Sequence, residues 1–373
     1  MTFRSLLVPA LALACAGTDD RKPPAAEAAG PAFPDVAPDL EAGSGDSVFV
    51  ALATADAVAA VDVDQNRWSG SAPVGRNPVE IDGPIALAAD ASRGLLYVLL
   101  NPPEALNAPE GSHVHVTSRA GYVQKLSLVD LHVLAEARID ADPVAMALSA
   151  DGSRLVVTHS NANVSVVDTG KMAFSGGAEP LRIPACFSPL GVALSRPDGK
   201  TAYVACEGED ALALVDTTDA SVPAHRLPID GALGPRSIAM DPLGERVAVT
   251  SGLSMDLRIV DTAAGVSGSP WPVAGAYGST WSDQSIAVAT RDPDGVAVLD
   301  GLTGGVVAAR AFAAQECEAP RDTALKRGAL YVLCSGTASN AALLKLDASV
   351  PDLPILARAD MADRAEGFVV IAR

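Results

Sequence analysis

Aromatic residues make up only 4% of the 373-residue chain, histidines number 5, and nowhere do basic residues gather into a run. Each shortage removes a class of function. A formal net charge of −18 repels a phosphate backbone and offers no counterion release, so nucleic acid is not an expected partner. Scarce aromatics leave little for a flat redox cofactor to stack on. There is no CxxCH word, which removes ordinary covalent attachment of c-type haem. Nor is there a G-x-S-x-G elbow, an H-E-x-x-H pair or a phosphate-binding glycine loop. No catalytic residue can therefore be named from a motif, and no cofactor is predicted.

What the chain does have is short apolar words and punctuation. The hydrophobic fraction is 49%, drawn mainly from Ala, Val and Leu, and 32 Gly with 27 Pro interrupt it at short intervals. That pattern predicts many short strands joined by turns. The length would suit two or three ordinary domains, but all-β architectures also use it as one.

The N-terminus reads as an export address. Arg4 supplies a positive start, and Ser5 to Ala14 (SLLVPALALA) is apolar but too short to span a bilayer. Residues 1–14 are thus expected to be a signal peptide. The stretch LALAC, ending at Cys15, resembles a bacterial lipoprotein cleavage box, which implies lipidation of Cys15 and a lipoprotein of the cell envelope, facing the periplasm or the cell surface. Ala12 and Ala14 also fit the A-x-A pattern of plain secretion, so both routes stay open. Parity favours the lipid: of 5 cysteines in an oxidising compartment, acylating one leaves an even set to pair. Residues 15–45, rich in Pro, Ala, Gly and acidic side chains without apolar periodicity, read as a flexible tether. Contact with a membrane is expected through that lipid alone.

From Ser47 onward one pattern returns. A β-rich segment (VFVALA, LLYVLL, RLVVTH, TAYVAC, RVAVTS, SIAVAT, ALYVLC) is followed by a second that ends in Asp, at Asp62, Asp130, Asp168, Asp216, Asp261, Asp300 and Asp347. Another apolar stretch with a tight Asp/Gly turn precedes most of the first segments, and a more polar strand follows most of the aspartates. Four strands per unit, repeated seven times, is the arithmetic of an all-β, seven-bladed β-propeller of antiparallel blades over residues 46–373. An open stack would need capping ends. Here the chain starts on a second strand and ends on EGFVVIAR (366–373), so the C-terminal strand is expected to join blade 1 and close the ring. The words AYVAC, LYVLL and LYVLC, the PDG turns and VDTG, VDTT and VDTA resemble the YVTN-repeat β-propeller family. That resemblance implies the fold over Ser47 to Arg373. It leaves function open among surface-layer, binding or scaffold proteins, lactonase-like enzymes and propeller parts of redox enzymes.

The candidate sites follow from exceptions to the repeat. The seven aspartates are too regular for catalysis and are expected to start turns by accepting from the backbone two residues on. Cys186 and Cys206 occupy the same two places in blade 4 as Cys317 and Cys334 in blade 7. The hairpin brings each loop cysteine near its own strand cysteine, whereas Cys206 and Cys334 lie three blades apart, so the expected disulfides are Cys186 with Cys206 and Cys317 with Cys334. Metal binding by these thiols is the weaker alternative, because neither pair has C-x-x-C spacing. Glu207, Glu209 and Asp210 are expected to be solvated loop charges. Blade 2 carries an insertion (101–122) on the loop face, with His113 and His115 two apart in an extended segment and Glu104 and Glu110 nearby, a possible divalent-metal site lacking a locatable third ligand. Arg236 and Arg321 each follow a Pro at equivalent positions, with Asp322 and Glu366 near other inner strands. Converging guanidiniums could bind a carboxylate or phosphate, or pair with neighbouring carboxylates at the channel rim. These features predict a monomeric binding or scaffold module at the envelope, using its loop face and central channel for a protein or small ligand. A lactonase-like hydrolase with a channel-bound metal and a propeller subunit of a periplasmic redox system are the alternatives.

Overall fold

The computed structural model describes residues 47–63, 65, 67–76, 82–102, 119–336, 341–361 and 364–371. Cys15, the tether and the histidines His113 and His115 lie outside the described residues. Among the described residues no helix is long and apolar enough to cross a membrane.

Seven antiparallel sheets form the molecule, six of them with chain-consecutive strands ordered from the inside outward. The exception closes the ring. In blade 1 the innermost strand is the C-terminal Ala365–Ile371, which pairs with Ser47–Leu52. The other inner strands are Pro84–Asp90, Pro143–Leu148, Pro189–Leu194, Pro235–Met240, Ala276–Ser282 and Pro320–Lys326, for blades 2 to 7. Every blade has four strands, except that the outer strand of blade 5 is broken into Val266–Ser267 and Trp271–Pro272.

Packing explains why the middle strands read as unbroken apolar words. A blade is covered on both faces by its neighbours, so the second strand LLYVLL (Leu95–Leu100) is buried almost throughout. Seven apolar clusters result, each straddling two adjacent blades. One of them joins Val48, Val50 and Leu52 of blade 1 to Tyr331, Leu333 and Leu343 of blade 7. The ring is thereby sealed by hydrophobic burial as well as by strand pairing.

The repeated polar residues hold the turns. Asp168, Asp216, Asp261, Asp300 and Asp347 each accept from the backbone N–H two residues on, as Asp130 does from His132. In blade 1 Asp62 accepts instead from Gln65, one residue further. Bonding from the Thr218 hydroxyl and N–H holds the Asp216 carboxyl below the usual range, the opposite of what a catalytic acid needs. Asp130 alone lies beyond its strand, which stops at Ser127. The Thr after the Asp closes the same corner: Thr169 and Thr217 donate to the carbonyls of Gly152 and Gly199 at 2.6 and 2.7 Å. Each lies in the blade's first hairpin turn.

The disulfides fall where the repeat placed them. Cys186 pairs with Cys206 and Cys317 with Cys334, with Cα separations of 5.9 and 5.3 Å. Each ties the loop before an inner strand to the end of the second strand, on the loop face. In blade 3 the buried His159 occupies the position of Cys206, and its Nδ1 lies 3.0 Å from the Ala141 carbonyl oxygen. A hydrogen bond there links the segment before the inner strand to the end of the second strand, the place where blades 4 and 7 carry a disulfide.

Candidate functional site

A bulge at the start of each inner strand builds the channel mouth. Pairing skips between Pro84 and Ala86, Pro143 and Ala145, Pro189 and Val192, Pro235 and Ser237, Ala276 and Ser279, and Pro320 and Asp322. In blade 1 it skips Glu366, between Ala365 and Gly367. An unpaired bulge residue is re-aimed out of the sheet, here toward the axis. The result is one bulge residue per blade facing a cavity of about 310 Å³.

Those seven residues are sorted by chemistry. Blades 2, 3 and 4 present Ile85, Val144 and Leu190; blades 5, 6, 7 and 1 present Arg236, Tyr277, Arg321 and Glu366. The mouth thus has an apolar arc and a polar arc. Below the apolar side lie Leu87, Met146 and Val192, with Phe368 coming from blade 1.

The next position inward is small for a mechanical reason. Ala86, Ala145, Gly191, Ser237, Gly278 and Gly367 stand where adjacent inner strands come closest. A Cβ on Gly191 would sit 2.7 Å from the Arg236 carbonyl oxygen, and one on Gly367 2.8 Å from that of Ile85. Blade 7 breaks the rule with Asp322. Its half-buried carboxylate lines the channel cavity and accepts from the Thr323 N–H at 2.8 Å. Burial pushes that carboxyl up to about 6, against the Thr323 bond and the charge of Arg321, which pull it down.

On the polar arc the guanidiniums are paired. Arg236 reaches Glu207 at 3.1 Å and Arg321 reaches Glu366 at 2.6 Å, while Arg364 takes the other oxygen of Glu366. Both sequence-predicted arginines therefore line the channel, and both already hold a carboxylate. Tyr277 lies under two guanidiniums, with the Cζ of Arg291 3.8 Å and that of Arg236 4.8 Å from its ring centre. Arg291 also donates to the carbonyls of Pro320 and Ala319 at 3.1 and 3.4 Å. Desolvation and the nearby charges of Arg321 and Arg236 lower its pKa, outweighing the pull of Tyr277 and Asp294.

The loop acids of blade 4 are solvent-accessible, as expected, but each also has a partner. Glu207 pairs with Arg236 at the channel, Glu209 accepts from the Phe187 N–H at 2.7 Å and holds Arg226, and Asp210 accepts from the Gly234 N–H at 2.8 Å. They lie on the loop face as expected, but each is tied to a neighbouring loop. The reason is geometric: the connection between second and third strands abuts the loop entering the next blade. Asp56 repeats the bond of Asp210 in blade 1 by accepting from Gly83.

Metal chemistry does not fit this mouth. Among the described residues no group of three His, Cys, Asp or Glu side chains converges. Both oxygens of Glu366 are taken by arginines, and the flanking guanidiniums would repel a divalent cation.

No family model and no curated protein matches the sequence. Solved structures do match. The periplasmic gluconolactonase of Pseudomonas aeruginosa superposes with a TM-score of 0.65 at 17% identity, covering 88% of this chain and 99% of that one. Hydrazine synthase of Kuenenia stuttgartiensis gives 0.59 at 18%, covering 78% and 96%. Apo AztD of Citrobacter koseri gives 0.60 at 13%, covering 88% and 98%. At such identities these likenesses show the seven-bladed propeller and nothing more specific.

Proposed function

We propose that the chain is an exported binding module that holds a small ligand in the mouth of its central channel. One observation carries this reading. The bulge residue, which blade pairing leaves unspecified, is sorted into an apolar arc and a polar arc around an open cavity. A cavity near 310 Å³ stands at the lower end of the range for small-ligand sites, and mixed walls are what orient a ligand. A metal-dependent hydrolase would need a converging ligand set here, and among the described residues the paired arginines and carboxylates do not provide one.

Export is supported by two disulfides, which persist in oxidising compartments. They also consume four of the 5 cysteines and leave Cys15 over, which supports its acylation and a place among envelope lipoproteins. The YVTN-like words support kinship with that repeat family. Intact mass of the exported protein should show acyl chains on Cys15; an unmodified N-terminus at or beyond that residue would leave it merely secreted.

The channel reading is tested by filling the channel. Native mass spectrometry of the full chain, incubated with small-molecule extract from an envelope fraction, should show a bound adduct that Val144→Trp abolishes. An adduct equally retained by Val144→Trp would move the site away from the channel.

A further inference from the structure

Four guanidiniums, Arg236, Arg291, Arg321 and Arg364, gather at one side of the mouth against the carboxylates Glu207, Glu366, Asp294 and Asp322, and Arg236 and Arg321 each spend only part of their donors on a carboxylate. Arg291 donates to backbone carbonyls and lies on the face of Tyr277, and it stands within range of two other cations as well as of Asp294. In a chain of net charge −18 such a gathering of guanidiniums is against the trend. Like charges gathered in a partly desolvated wall cost free energy unless an anion completes them. Across the cavity the wall offers no polar side chain at Ile85, Val144 or Leu190, so an ion filling the whole mouth would leave half its shell unsatisfied.

We infer that the channel ligand is an amphipathic organic anion. Its anionic group lies against Arg236 and Arg321, with Arg291 adding its field from behind Tyr277. Its apolar body lies on Ile85, Val144 and Leu190. This rests on the channel-binding reading above and specifies the ligand's chemistry. Glu207 then acts as an internal stand-in for the ligand: its oxygen lies 3.1 Å from the Arg236 guanidinium, where an incoming carboxylate would compete.

Titration calorimetry of the full chain with octanoate and with octylamine tests the inference, because the two probes share a tail and differ in the sign of the head. Octanoate is expected to bind one to one and at least tenfold more tightly than octylamine. Glu207→Gln frees Arg236 and should tighten octanoate several-fold, whereas the Glu207→Gln/Arg236→Gln pair should weaken it tenfold or more relative to Glu207→Gln alone. A residue with a merely structural role would not give opposite signs for these two variants. Equal or tighter binding of octylamine overturns the inference, as does octanoate affinity indifferent to both variants, or no binding of octanoate at 10 mM, a concentration of about the weakest useful affinity. The Val144→Trp experiment fails independently: an extract ligand lost on filling the channel, with octanoate unbound, keeps the channel site and rejects the anion.

Discussion

Replacing Asp322 by Asn should stabilise the protein, and by an amount that depends on pH. The carboxyl stands at a position that six other blades give to Ala, Gly or Ser, and burial raises it from 3.8 to about 6. A folded-state value above the unfolded one means that the folded protein holds the proton more tightly. Below about pH 4 both states are protonated and nothing is lost. As the pH rises from about 4 to about 6 the unfolded chain releases its proton first, so stability falls, and above about 6 the loss is complete. The full difference corresponds to about 3 kcal/mol, an upper value because the channel leaves the carboxyl some solvent. With unfolding entropy near 2.1 cal/mol/K per residue and about 320 residues in the ring, that is about 4 to 5 °C in Tm. Asn keeps the oxygen that accepts from Thr323, so the amide loses no hydrogen bond there. Tm should be measured for both proteins from pH 4 to pH 8. The difference in favour of Asp322→Asn should grow between about pH 4 and pH 6.5 and then level, every other titrating group being common to both. A difference independent of pH, or a variant less stable at pH 8, would refute the reasoning.

Other substitutions probe the ring. At Gly278 a Cβ would overlap the Arg321 carbonyl, so Gly278→Ala should cost at least about 2 kcal/mol, read as a fall in Tm; an unchanged Tm would show that blades 6 and 7 part without strain. The equivalent Ser237 already carries a Cβ and bonds Ser279 at 3.2 Å, so Ser237→Ala should cost only about 1 kcal/mol by the same measurement. Replacing Cys186 and Cys206 together by Ser opens a loop of 20 residues and should lower stability by about 3 kcal/mol in chemical denaturation, with Cys317 and Cys334 giving a similar loss. Thiol titration of the denatured, unreduced chain should find none of those four free. Glu366→Gln removes the shared partner of Arg321 and Arg364; because Arg364 is well exposed the cost should be about 1–2 kcal/mol and should shrink in high salt, and a salt-independent loss would argue for packing instead.

The ring is legible in the amino acids because radial repetition prints the same demands seven times. A second strand covered on both faces must be an apolar word, and a turn after the third strand must start with an acceptor such as Asp216. The disulfides are legible for the same reason, since Cys186 with Cys206 and Cys317 with Cys334 occupy equivalent places. Half of the channel mouth is legible too. Arg236, Arg321 and Glu366 stand out because charge near the axis of a propeller needs a reason. Ile85, Val144, Leu190 and Tyr277 do not stand out, because an apolar or aromatic residue in an inner strand reads as core. The bulge defeats the simple pattern: one unpaired residue shifts the alternation of faces, so counting in twos assigns these side chains to the wrong side.

Yet the signal is present once the bulge is known. Each inner strand begins with Pro or Ala, then a variable residue, then a small one: PIA, PVA, PLG, PRS, AYG, PRD and AEG. Pro suits the first place because it fixes the backbone where the chain turns into the strand. A small residue suits the third because the neighbouring strand's carbonyl lies against it. Only the middle residue is free of the fold, and it alone varies from Ile to Arg to Glu. By that reasoning Asp322 is the informative exception. It puts a carboxylate in a place the architecture reserves for Gly, Ala or Ser, beside the arginines, at a cost in stability that the ring does not need.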